Sequence, residues 1–253
     1  MKIFYHTCLI FVTLTSFNSF AQLEIGANPE NKKTDTLIKL KNDIEGKREL
    51  EGSTEIFIGS NCSSSFRYLT ENGTIFGKPL GTRSDEKSLT TWSYSLGFRN
   101  YLHKHVALEG GVSYIKNGES YQLKNKDTAM NYQTTYSYIA MPIRLYYSMG
   151  DQIRFLIGGG IIPQMFNGYR QDQQWTNHKG ETGTTTIKTK NNYNSFVLSA
   201  CIDASLQIRY SKSFSIFITP EYRWQLNSTY LNIDNYIHKA RAFGVNFGFV
   251  YQL

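Results

Sequence analysis

The chain has 253 residues, with 27 Lys and Arg against 20 Asp and Glu, for a net charge of +7. Tyr (18) and Phe (16) are abundant and Pro (5) is scarce, a balance that favours strands joined by polar loops over a helical protein. The basic residues are scattered rather than striped, which argues against a nucleic-acid surface, and no mature segment has the roughly 18 consecutive apolar residues of a membrane helix.

Residues 1–21 read as a signal peptide: Lys2, an apolar run from Cys8 to Leu14, then Ser19 and Ala21 at the small positions before a cut. No Cys stands directly after that cut, so a lipoprotein anchor is not indicated. Residues 22–52 are polar and charged without an apolar period, and read as an exposed periplasmic linker with one short helix near 36–44.

From residue 53 the pattern changes to period two, the mark of strands with one apolar face. After a weaker first strand near 55–68, Trp92, Tyr94, Leu96 and Phe98 alternate with Ser93, Ser95, Gly97 and Arg99. Val106, Leu108, Val112 and Tyr114 repeat the pattern, as do Ile139, Met141, Ile143, Leu145 and Tyr147. A fifth strand is expected near 152–166, a sixth from Phe196 to Ile208, a seventh from Phe214 to Trp224, and a closing one in "RAFGVNFGFVYQL". The count is eight. Short turns at 103–105, 150–151 and 211–213 alternate with long polar loops at 69–88, 117–134, 167–193 and 227–239, the asymmetry of a bacterial outer-membrane barrel.

A soluble barrel or sandwich would carry Lys on its polar faces. Here nearly all Lys residues fall in loops, turns or the linker, and the polar faces are Ser, Thr, Gly and a few charges. Such faces suit a narrow lumen, with the aromatic face turned to lipid and Trp92 and Trp224 in interfacial girdles. On this parity Cys62 and Cys201 point to opposite faces and read as two separate packing residues.

The segments "SYIAMPIRLYY", "GGG" at 158–160 and "ITPEYRWQL", with the signal ending "FAQ", together resemble the Bacteroidetes outer-membrane β-barrel family labelled PorT-like, small barrels of the OmpA/OmpX-like kind. The resemblance spans 53–253. It implies an all-β, eight-stranded antiparallel up-and-down transmembrane β-barrel with long extracellular loops, located in the bacterial outer membrane, and through PorT a link to the gliding-associated (type IX) secretion system. The final alternation, with Phe247, Phe249, Tyr251 and Leu253 on one face, resembles the C-terminal signal read by the outer-membrane assembly machinery, although Leu253 stands where Phe is commoner.

The charges that fall on the lumen face are Glu55, Arg99, Glu109, Arg144, Arg154, Asp203, Arg209, Glu221 and Arg223. Unpaired, each would cost several kcal/mol in a dry interior, so the expectation is a salt-bridge network that plugs the barrel, with a gated ion path as the alternative. No catalytic dyad is apparent: His103 and His105 fall in a turn, and His178 and His238 in outer loops. No metal-ligand spacing, phosphate loop or cofactor motif is present. Tyr169, Trp175 and His178 in the third outer loop are candidates for binding a partner or glycan, or for folding that loop onto the rim. The resulting expectation is a non-catalytic envelope accessory, scaffold or surface-binding protein, tied to outer-membrane lipid and to envelope or secretion proteins, with a narrow channel for ions or small solutes as the alternative.

Overall fold

The computed structural model describes residues 51–71, 86–124, 128–231 and 236–253. The expected signal peptide, short helix and nearly all of the expected linker lie outside the described residues. Among the described residues ten strands are present: β1 (Thr54–Glu71), β2 (Glu86–His103), β3 (Val106–Lys124), β4 (Ala129–Ala140), β5 (Ile143–Met149), β6 (Ile153–Thr176), β7 (Thr182–Thr189), β8 (Phe196–Arg209), β9 (Phe214–Gln225) and β10 (Tyr236–Gln252).

All pairings are antiparallel, and they close into a ring. β1 pairs with β2 on one side and with β10 on the other, from Glu55 opposite Gln252 to Glu71 opposite Tyr236. From β2 the ring runs through β3 to β4 and β5, then through β6, β8 and β9 back to β10. Closure leaves no open sheet edge in that circuit, so each strand finds backbone partners on both sides.

Ten strands stand where the periodicity predicts eight, for two reasons. β4 and β5 occupy one place between β3 and β6, and are separated at Met141 and Pro142, where the proline has no N–H to give. β7 pairs with β6 and is off the ring path.

Two of the predicted long loops, 117–134 and 167–193, are also mostly strand. β3 runs to Lys124 and β4 starts at Ala129, while 167–193 forms the β6–β7 hairpin around a turn at 177–181. β6 alone has 24 residues, against the roughly 9–11 that span a bilayer.

The outward and inward faces follow the predicted parity. Leu96 and Ile153 are 57% and 61% exposed on the outside, whereas Glu55 and Arg154 are 0% and 1% exposed on the inside. Cys62 sits outward beside Trp92 and Cys201 inward, both free. Across the small outward residues Ser60 and Cys62 of β1, Trp92 and Phe247 meet edge-to-face with ring centroids 6.0 Å apart. The short side chains between them leave room for that contact.

The outward face is apolar only up to a level marked by Ile139, Met165 and Phe196, which neighbour one another on β4, β6 and β8. Beyond Ile139 the outward residues of β4 are Ser137, Thr135, Gln133 and Asn131, while Tyr138, Tyr136 and Thr134 are buried inside. Polarity therefore reverses along a single strand. No helix among the described residues is long and apolar enough to cross a membrane, a statement that does not bear on strands.

Candidate functional site: the filled interior and the mouth of the ring

Register places the interior charges side by side. Glu55 faces Arg99, Arg99 faces Glu109, and Glu109 faces Arg144 on successive strands. Their side chains form a chain of alternating sign that starts at Arg154. Its Nη1 donates to Glu55 Oε1 at 3.0 Å and to the Tyr101 hydroxyl at 2.6 Å. Arg99 donates to Glu109 at 2.7 Å and approaches Glu55 at 3.4 Å. Arg144 then joins Glu109 at 2.7 Å to Glu221 at 2.5 Å, with Asp203 3.6 Å from its Nε. Arg223 Nε lies 3.2 Å from the other Glu221 oxygen and its Nη2 donates to Ser63.

Eight of the nine predicted lumen charges thus meet in one assembly. The ninth, Arg209, is buried on the same inward face of β8, six residues beyond Asp203. The wall beside β5 is tight at two glycines of β6: a Cβ at Gly158 would run into the Tyr146 ring, and one at Gly160 into the backbone of Ile143. Tyr146 in turn lies under Arg99, 5.0 Å from the guanidinium carbon.

Little space is left between these side chains. A cavity of about 20 Å³ remains beside Arg99, Glu109 and Arg144, and one of about 10 Å³ beside Asn117, Gln164 and Arg223. Each holds about one water at most.

Cys201, Asp203 and Glu221 bring three ligand-type atoms within 4.8 Å of one another, a convergence the sequence spacing does not reveal. They do not fit a cation. Arg144 already contacts both carboxylates and Arg223 contacts Glu221, so a metal ion would be set against two guanidiniums in a low-dielectric space.

Above the charge chain the inward face becomes aromatic. Tyr193 stacks on Phe166 and Tyr169 with centroids 4.7 and 5.4 Å apart, and Tyr136 packs against Tyr169 and Tyr193. His238, expected in an outer loop, is instead buried in β10 between Tyr136 and Tyr230, at 4.7 and 4.9 Å. The reason is the strand extension: the pairing of β10 with β1 continues past His238, which faces Leu69. A second ion cluster that periodicity missed caps this region. Arg67 grips Glu86 through two nitrogens, and its Nη1 lies 3.8 Å from Glu119, whose carboxylate accepts from the Tyr136 hydroxyl.

The three loop candidates do not converge. Tyr169 belongs to the buried-side aromatic cluster, Trp175 lies six residues further along β6, roughly 20 Å at strand spacing, and His178 is exposed in the turn. Trp175 covers Gly183 of β7, where a Cβ would collide with the indole. That contact favours a side chain folding its own hairpin. On the outward side of the same hairpin Arg170 binds Asp172 at 2.8 Å, and hydrogen bonds from Arg170 and Thr186 hold the exposed Asp172 carboxyl below its ordinary range.

His103 and His105 lie at the β2–β3 turn with ring centroids 5.9 Å apart, and His105 Nδ1 is 2.9 Å from the Ser148 carbonyl. No nucleophile is paired with a histidine base in these contacts.

No protein-family model matches the chain, and no curated protein matches it. Among solved structures the chain is similar to Ail, the attachment invasion locus protein of Yersinia pestis, at 14% identity over 81% of this chain and 100% of that one, with a TM-score of 0.35. It is also similar to the outer-membrane protein OprG of Pseudomonas aeruginosa, at 11% identity over 81% and 98% with a TM-score of 0.39. Neisserial surface protein A is a third, at 8% identity over 78% and 98% with a TM-score of 0.35. No functional residue is carried over from any of them.

Proposed function

We propose that the chain is an eight-stranded, up-and-down β-barrel of the bacterial outer membrane, in which β4 and β5 form one interrupted strand and β7 extends from the mouth. It works without catalysis, as an envelope scaffold or surface-binding protein. The supporting observation is the pairing of an apolar outward belt with an interior occupied by the Arg154–Arg223 ion chain, beside which lies a cavity of only about 20 Å³. An apolar exterior needs lipid around it, and a filled interior offers no path for diffusion.

In this reading the lipid partner covers the belt, and the outward Phe247, Phe249, Tyr251 and Leu253 of the closing strand serve as the assembly signal. The PorT-like segments extend the reading to a secretion-linked accessory role, with the tall mouth as the docking platform.

The test is reconstitution of the mature chain in planar bilayers, alongside a mild-detergent pull-down from its native membrane. A silent bilayer and a stoichiometric envelope partner support the proposal. Steady single-channel currents that disappear in Arg144→Ala would instead establish the narrow channel.

A further inference from the structure

The outward side of the β6–β7 hairpin holds a cleft of about 330 Å³ that the interior network does not use. Ser137, Asn167, Arg170, Lys188, Thr189 and Lys190 line it. Its height is set by register. Ser137 lies two residues beyond Ile139, and the cleft starts just past Met165, where β6 takes up an extra residue against β4 at the step from Phe166 to Gly168. Gly168 carries no side chain outward, so the concavity there stays open, with Lys190 lying alongside.

Among the described residues, charge at this height has one dominant sign. Outward residues just above the belt include Lys116, Lys239, Arg241, Arg170, Lys188 and Lys190, and Asp172 is the acid set among them. Lys116 and Arg241 rest over the rings of Tyr114 and Tyr68, and Arg170 is tied to Asp172. Lys188 and Lys190 make no ion pair or ring contact among the described residues, and both are exposed into the cleft. The cleft thus has a cationic wall, hydroxyl and amide groups, and an apolar surface beneath it.

We propose that this cleft seats the phosphorylated sugar headgroup of a glycolipid in the surrounding leaflet. Lys188 and Lys190 bind the phosphate, while Ser137 and Asn167 face sugar hydroxyls. The acyl chains run down the outward face past Met165 and Ile139. A free phosphate ion needs far less than 330 Å³ and has no use for the apolar surface below, so the geometry favours a headgroup still attached to its lipid. The inference rests on the membrane reading above, because only there does a leaflet reach this height.

The test uses the mature chain in nanodiscs of phosphatidylcholine doped with bisphosphorylated lipid A or with its dephosphorylated form, and native mass spectrometry reads the lipids retained. Retention of the phosphorylated lipid is expected, weakened about tenfold in a Lys188→Gln/Lys190→Gln double variant. Lys116→Gln, at the same height but outside the cleft, should leave it unchanged. Equal retention of both lipids, no loss in the double variant, or full displacement by millimolar inorganic phosphate would overturn the proposal. A chain that inserts and folds yet shows no headgroup preference defeats this inference alone, whereas one that does not insert at all defeats the membrane reading.

Discussion

The lower and upper halves of the ring solve the same packing problem with opposite polarity. In the lower half large apolar side chains point outward and a chain of arginines and carboxylates fills the inside. In the upper half Ser137, Thr135 and Gln133 point outward, and Tyr136, Tyr138, Tyr193 and His238 pack inside. The pairing of β4 with β6 continues through the level where the sign reverses, with a one-residue shift between Ser137 and Tyr138, and β2 and β3 pair on both sides of it with a register shift between Ser88 and Tyr94. The ladder alone therefore does not choose which face is apolar; the medium around each half does. The upper half packs like an ordinary water-soluble sheet, and the lower half like one turned inside out.

The largest effect should come from breaking the lower half. Glu109 is shared by Arg99 and Arg144, and Glu109→Ala leaves two guanidiniums short of a partner, at a cost of about 3–5 kcal/mol in denaturant unfolding from lipid vesicles. An unfolding midpoint unchanged from wild type would show that the chain is not what holds the interior. Next, Ile157→Arg places a charge on the outward face of β6 deep in the belt and should destabilise by about 2–4 kcal/mol in the same assay.

In the upper half Tyr136→Phe removes a hydroxyl that contacts Glu119 and Tyr230, with an expected loss of about 1 kcal/mol. Hydrogen exchange should rise in the upper residues of β4 and β6 while the β8–β9 region near Glu221 stays protected; uniform loss would mean the halves do not act separately. The smallest effect belongs to Thr135→Arg, outward but above the reversal, which should fall within about 0.5 kcal/mol of wild type. A cost there matching that of Ile157→Arg would move the boundary upward and erase the distinction.

The lower half was legible because its alternation is sharp: Trp92, Tyr94, Leu96 and Phe98 against Ser93, Ser95 and Gly97 identify both strand and face. The upper half was not. In "NYQTTYSY" (131–138) the inward set is Tyr, Thr, Tyr, Tyr and the outward set Asn, Gln, Thr, Ser, so both faces look polar, and a paired strand reads as loop. The same mixed polarity makes Glu86, Glu119 and His238 read as loop residues, while Arg67 falls at the end of the weak first strand, where parity shows no partner for it. Members of the charge chain could be named from parity, but their partners required register, which neighbouring residues in the sequence do not encode. The hairpin candidates Tyr169, Trp175 and His178 looked equivalent in one polar stretch, and only the pairing of β6 with β7 separates an inward ring, a strand cover and an exposed turn.

The ion chain has one more consequence, for how the ring assembles. If β3 slid two residues along β2, every outward apolar side chain would still face lipid and the surrounding bilayer would register no error. Arg99 would no longer meet Glu109, however, and the mismatch would pass to Arg144 and on to Glu221. A misaligned closure is therefore penalised electrostatically even where hydrophobicity is blind to it, and the same side chains that fill the finished molecule act as its alignment key while it is being built.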